Sequence, residues 1–208
     1  ALPTATITAG SATAFCAGGS VTLTSSAGST YLWSTGATTQ SIIATTAGSY
    51  SVTVTNASGC SATSVATTVT VNALPTASIT AGSTTTFCAG GSVNLTSSAG
   101  ATYSWSNGAT TQSILVSSAG SYSVTVTNTS GCSATSAATT VTVNALPAIT
   151  VTNPIAVCSP NTIDLTASAV TTGSTASLVY GYFTNAAATT ALGTASAITT
   201  SGTYYIKG

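Results

Sequence analysis

Charge is the first thing this sequence lacks. Its 208 residues include one acid, Asp164, one base, Lys207, and no histidine or methionine. Nucleic-acid binding needs several Lys or Arg to neutralise phosphates, so no nucleic-acid partner is expected. An anionic membrane surface would also require a basic patch. Calcium takes six to eight oxygens, several of them from carboxylates, and Asp164 alone cannot supply them. Ser and Thr are plentiful, but a nucleophile needs a base, and neither a His nor a partnered carboxylate is there to act as one. Catalytic residues, cofactor and metal are all expected to be none, and the chain is not expected to be an enzyme. Long apolar runs are missing too. None approaches the roughly 20 residues a helix needs to cross a bilayer, so direct membrane insertion is not expected. The positive mean hydropathy comes from scattered Ala, Val and Ile.

Ser and Thr fill roughly two-fifths of the chain, well above ordinary compositions. Disordered chains of low charge usually lack β-branched and aromatic residues. This one is rich in Val, Ile and Thr, with Tyr and Trp at regular places, so folded β-structure is expected. The chain begins without Met and ends at "GTYYIKG", which reads as a fragment of something longer whose address lies elsewhere.

The sequence also repeats itself. "ALPTATITAG" opens at Ala1, "ALPTASITAG" at Ala73 and "ALPAITVTNP" at Ala145. The first two units differ at about thirteen positions, too few for independent solutions to one fold. The predicted domains are 1–72, 73–144 and a divergent third, 145–208. The third carries "VCSPNTIDLTASAV" where the others have "FCAGGSVTLTSSAG", and it stops before its last strands.

Within each unit, runs such as "TATIT", "SVTLTSS", "TYLWS", "QSIIATT", "SYSVTVT" and "TTVTVN" alternate with period two. Gly-, Ser- and Asn-containing turns separate them. Six or seven short strands in such a unit predict an all-β chain of tandem immunoglobulin-like sandwiches in an elongated array. The repeat assigns the faces. Leu32 becomes Ser104, so that position faces out, and its neighbours Tyr31 and Trp33 face in. By the same parity Val21, Leu23, Tyr50, Val52, Val54, Val69 and Val71 form the core, while Thr22, Thr24, Thr53, Thr55, Thr68 and Thr70 line the outside. Trp33 and Trp105 are expected in the core rather than as sugar-stacking platforms. Tyr50 and Tyr122 are expected there too, with their hydroxyls on backbone. Thr is a good exposed strand residue, and that is the preferred reading of the Thr rows over an ice-binding face. "NAS" at Asn56, "NLT" at Asn94 and "NTS" at Asn128 match the eukaryotic N-glycosylation pattern, which is common by chance in so Ser/Thr-rich a chain, and no glycan is expected there if the source is bacterial.

A small domain buries a modest core and is expected to need a staple. Cys16 and Cys60 are 44 residues apart, as are Cys88 and Cys132. With no CxxC pair and no His, disulfides are favoured over metal, and disulfides imply an oxidising compartment or the cell exterior. Pairing within each repeat is the simplest expectation. A plain immunoglobulin topology places Cys16 and Cys60 at opposite ends of the sandwich, however, beyond the Cα separation of about 6 Å that a disulfide allows. A bond between neighbouring domains, Cys16 to Cys132, is the alternative. Cys158 is expected to be unpaired. Only "NALP" separates the last strand of one domain from the next, and Pro75 and Pro147 restrict Leu74 and Leu146 to extended conformations, so limited bending is expected.

The pattern "CAGGSVTLT", "YLWSTGATTQSI" and "AGSYSVTVTNASGCSAT" resembles the immunoglobulin-like and PKD-like repeats of very large secreted proteins of Bacteroidota. It is similar to the repeats of giant SprB-like gliding-motility adhesins. The resemblance covers nearly all of residues 1–144. The third unit, with "LVYGYFTNAAATTAL", resembles another repeat type of such adhesins. The resemblance implies export by the type IX secretion system and display at the cell surface. The acidic "WDFGDG" of PKD repeats is here "WSTGAT" at Trp33 and "WSNGAT" at Trp105, so the carboxylates are gone.

The expected function is therefore that of a structural and adhesive segment of a surface adhesin or extracellular filament, giving reach, stiffness and attachment. A spacer or a carbohydrate- or ice-binding module of a secreted protein is the alternative. Its partners would be further repeats of the same chain and, with so little self-repulsion, copies of itself in fibres or bundles. The surface ligand is unknown.

Overall fold

Alternation of Val or Leu with Thr or Ser is a strand pattern, because one face can be buried while the other meets water. The computed structural model describes residues 1–208. They fall into two compact units, Ala1–Val143 and Asn144–Gly208. The first unit holds both near-identical repeats, each around its own core.

In repeat 1 the strands are β1 (Ile7–Ala9), β2 (Ala14–Cys16), β3 (Val21–Ser25), β4 (Thr30–Trp33), β5 (Ser41–Ala44), β6 (Gly48–Tyr50), β7 (Val52–Thr55), β8 (Ser61–Thr63) and β9 (Thr67–Asn72). One layer is the antiparallel sheet β1-β3-β5. The other runs β4-β7-β8 and continues as β6-β9-β2, with β2 parallel to β9. Repeat 2 copies this order with β10 (Ile79–Ala81), β11 (Thr86–Cys88), β12 (Val93–Ser97), β13 (Thr102–Trp105), β14 (Ser113–Val116), β15 (Gly120–Tyr122), β16 (Val124–Thr127), β17 (Ser133–Thr135) and β18 (Thr139–Asn144).

The second layer is interrupted by a β-bulge. Tyr50 pairs with Thr67, but Thr53 pairs with Thr63, so the register slips by one residue. Val65 is the extra residue and is exposed. Buried Ser64 repairs the ladder: its N–H donates to the Val52 carbonyl at 2.9 Å, and its Oγ accepts from the Val52 N–H at 3.1 Å. Bulges bend and twist a strand. Repeat 2 has the same device at Ser136, with Ala137 thrown outward.

Val21, Leu23, Trp33, Ala44, Tyr50, Val52, Val54 and Val69 form the first core, and Phe15, Tyr31 and Ile42 pack against it half-buried. Val71 is half-buried, at the end of β9 beside Phe15. Leu32 and Ser104 are both exposed. The second core substitutes Val116 for Ala44 and draws Ile114 fully inside.

The unit Asn144–Gly208 has a single 3₁₀ turn, Ser168–Val170, and one antiparallel pair, β19 (Gly181–Phe183) with β20 (Tyr205–Lys207). Two isolated bridges, Ile163 to Ile198 and Phe183 to Ala191, supplement it. Its fully buried apolar residues are Leu165 and Val170. Ala- and Gly-rich stretches such as "TNAAATTALGTASA" break the period-two pattern and offer little to bury.

Candidate functional site

The most specific chemistry in the first unit is a disulfide between the repeats. It joins Cys16 to Cys132, with a Cα–Cα distance of 5.6 Å and a sequence separation of 116. The favoured bonds within repeats, Cys16 to Cys60 and Cys88 to Cys132, do not form; Cys60, Cys88 and Cys158 are free thiols. Topology explains the correction. β2 runs parallel to β9, so Cys16 lies opposite Asn72, at the trailing end of repeat 1. Cys60 closes the turn between β7 and β8, at the other end of the six-residue β9, which spans roughly 20 Å. Cys132 occupies the corresponding turn at the leading end of repeat 2 and is fully buried.

Both partners are held by backbone contacts. The Ala17 N–H donates to the Asn72 carbonyl at 2.8 Å, fixing the residue after Cys16 against the last residue of β9. The Cys132 sulfur lies 3.9 Å from that same carbonyl oxygen. On the other side, Asn128 organises the turn. Its Oδ1 accepts from the N–H groups of Ser130 and Cys132, each at 3.0 Å, and its Nδ2 donates to the Ala73 carbonyl at 2.9 Å. Gly131 takes a φ of +78°, a left-handed conformation that favours glycine. One carboxamide thus shapes the cysteine turn and ties down the incoming linker. Asn56 does the same in repeat 1, bonding Ser58, Cys60 and Ala1. Two of the three asparagines that match the glycosylation pattern thus have their side chains engaged within the fold. Asn94 faces solvent on β12. Pro75 is half-buried in the linker, whereas Pro147 is exposed at the start of the second unit.

The aromatic residues lie inward. Trp33 and Trp105 are 2% and 3% exposed, and their Nε1–H groups donate to the Thr39 and Thr111 carbonyls at 2.8 Å. Neither offers a face to a sugar. Tyr50 is buried, and its hydroxyl meets both the Thr46 carbonyl and the Thr46 Oγ1. Tyr122 is only half-buried. Ser118 replaces Thr46 beside it, and the phenol keeps the carbonyl bond alone, at 3.0 Å.

Thr and Ser on the outer faces pair across strands. Thr53 meets Thr63 at 2.9 Å, Thr55 meets Ser61 at 2.8 Å and Thr24 meets Ser41 at 3.0 Å. Repeat 2 matches these with Thr125–Thr135, Thr127–Ser133 and Thr96–Ser113. Each pair sits directly opposite in the register. Such pairs do the work that ion pairs do on other sheets, without charge.

In the second unit an open cleft of about 440 Å³ is lined by Val151, Leu165, Val170, Ile198, Gly202 and Tyr204, among others. The Tyr204 hydroxyl donates to the Thr200 carbonyl at 2.8 Å, as Tyr50 does to Thr46. In the repeats the strand carrying that tyrosine pairs with β9 or β18. Asp164, the lone acid, accepts from the Thr166 hydroxyl and N–H, which hold its carboxyl below the usual range. Burial, and secondarily the Asp164 charge, push the Tyr182 phenol up. No group of three or more His, Cys, Asp or Glu residues gathers as metal ligands. No helix is long and apolar enough to cross a membrane.

No protein family matches the sequence, and no curated protein does. Solved structures similar in part include murine CEACAM1b, at 16% identity and a TM-score of 0.35, covering 67% of this chain and 100% of that one. The murine receptor complex of a mouse coronavirus receptor-binding domain is similar at 15% identity and a TM-score of 0.37, with 67% and 100% covered. The fibronectin(III)-like modules of Clostridium thermocellum CbhA follow at 12% identity and 0.34, with 67% and 94% covered. The all-β, immunoglobulin-like sandwich assignment rests on the strand order and register of this chain itself.

Proposed function

We propose that this chain is a structural and adhesive repeat segment of a large secreted protein, a shaft that gives reach and attachment at a cell surface. The observation that carries this reading is the Cys16–Cys132 bond between two near-identical repeats. Tension pulling on the chain passes through β1 and β2 to Cys16, crosses the disulfide, and leaves through β17 and β18. Everything from β3 to β16 lies outside that path. A binding module has no need of such a bypass, but a shaft under load does. The bond also fits an oxidising compartment or the cell exterior.

Resemblance of the repeats to those of Bacteroidota surface proteins supports the finer reading: a SprB-like adhesin exported by the type IX system, with gliding motility as one use. Further repeats of the same chain are its first partners, and uncharged faces favour lateral bundling. The carbohydrate- and ice-binding alternatives find less support, since the tryptophans are buried and the strand hydroxyls bond one another. Beads carrying antibody against the Phe15–Ile42 segment, added to living source cells, test the reading. Beads held at the surface are expected, and beads carried along the cell would add the motility role. Antigen found only in the medium, with no beads bound, would overturn surface display.

A further inference from the structure

Two of the free thiols lie where the structure shows a bond being made. Cys60 is the repeat-1 counterpart of Cys132, in "NASGCSAT" against "NTSGCSAT". Cys88 is the repeat-2 counterpart of Cys16, in "FCAGGSV" in both repeats. The surroundings match as well as the letters. Cys60 N–H and Cys132 N–H each donate to the turn asparagine at 3.0 Å. Asn56 holds the Ala1 carbonyl and Asn128 the Ala73 carbonyl, both at 2.9 Å. Residues 1–5 and 73–77 share "ALPTA". Cys16 and Cys88 each accept from the N–H of the second following glycine, Gly19 or Gly91, at 2.9 Å.

What differs is cover. Cys132, engaged by a trailing-end cysteine, is buried, while Cys60 is half-buried and Cys88 exposed. Neither thiol is fully covered, so both are open to a partner that approaches as Cys16 approaches Cys132. A metal role has no support, as no third ligand accompanies either thiol.

We propose that Cys60 is the leading half of a second joint of the same kind, and that its ligand is the thiol of the trailing-end cysteine of another repeat of this class standing ahead of repeat 1. Cys88 is the complementary trailing half. The staple is then a property of every junction between such repeats, always crossing from one repeat to the next. Each bond forms when the two thiols lose two protons and pass two electrons to a disulfide oxidant, such as oxidised glutathione, which is reduced to two thiols.

The test adds one copy of residues 73–144 ahead of Ala1 in the full chain and folds it in a glutathione redox buffer; Cys60 then occurs once, and the added trailing cysteine, Cys88, lies in a peptide distinct from that of Cys16. Free thiols are alkylated, and the chain is cut with pepsin at low pH, where exchange is suppressed. A peptide joining Cys88 of the added repeat to Cys60 is expected, with loss of Cys60 alkylation. Cys88→Ser in the added repeat should restore that alkylation. The Cys16–Cys132 peptide in the same molecules reports that the original joint has folded. Full alkylation of Cys60 in molecules that contain Cys16–Cys132, or a Cys60 bond to the cysteine of its own repeat, would overturn the proposal. A failure of this kind leaves the surface-display reading untouched, because the bead experiment does not depend on Cys60.

Discussion

Cys16 and Cys132 stand 116 residues apart in the chain and 5.6 Å apart between Cα atoms. That separation is one repeat period plus the spacing of the two cysteines within a repeat, so the bond reports the junction and not the fold of either domain. Each repeat has its own core. Breaking the bond should therefore uncouple the repeats without unfolding either.

Cys132→Ser is expected to leave two folded repeats that melt independently. Closing a loop of this length is worth roughly 5 kcal/mol in the chain-entropy model, and that sets the upper limit of the loss. Denaturant unfolding of the variant and of the reduced parent should coincide. A variant that unfolds entirely in buffer would show that the repeats are not self-sufficient.

Gly28 lies under Val54. A Cβ there would overlap the Val54 side chain and stand 3.2 Å from the Thr55 carbonyl oxygen. The Tyr31 hydroxyl, bonded to the Gly28 backbone in both directions, prevents retreat. Gly28→Ala should cost about 2 kcal/mol, in the range for overpacked cores. Gly100→Ala should do the same beneath Val126. In chains with the disulfide opened, each substitution should lower only the transition of its own repeat.

The outer hydroxyl pairs should show coupling. Replacing Thr53 and Thr63 with Val, singly and together, forms a double-mutant cycle whose interaction energy should fall at about 0.2–1 kcal/mol. A coupling of zero would mean that water satisfies these hydroxyls equally well.

Stability should hardly respond to pH or salt. Asp164 has a depressed pKa, so its contribution is present above the ordinary aspartate range and is lost as pH falls through it. Tyr182 has a raised pKa, so its contribution is present below about pH 10 and is lost as pH rises through that value. Between those limits no side-chain carboxyl or imidazole titrates. Thermal midpoints at pH 5 and pH 9, and at low and physiological NaCl, should agree, since there are almost no charges to screen. A midpoint that moves by many degrees would point to electrostatics not visible in the fold.

Much of this fold is legible in the sequence. The change from Leu32 in repeat 1 to Ser104 at the equivalent position of repeat 2 shows which way β4 faces, and the Val and Thr alternation gives the rest by parity. The bulge at Val65 is not legible, because "SATSVATTV" gives no sign that one residue is extra until the register is known. Tyr122 departs from Tyr50 because its neighbour changed from Thr46 to Ser118, a difference too small to read without contacts. The disulfide is the instructive case. In a plain immunoglobulin topology the length of a strand keeps Cys16 and Cys60 apart, and that limit prevails over the expectation of one bond within each repeat. What the sequence does not state is the parallel pairing of β2 with β9, which carries Cys16 to the trailing end.

The measurement that bears most directly on the shaft reading is single-molecule stretching of the full chain, oxidised and then reduced. With the bond closed, the chain between Cys16 and Cys132, a sequence separation of 116, is shielded from tension and cannot extend. At roughly 3.5 Å per residue, reduction should release roughly 400 Å of additional contour length. Equal lengths before and after reduction would mean that no covalent bypass joins the repeats, and the shaft reading would lose the observation on which it stands.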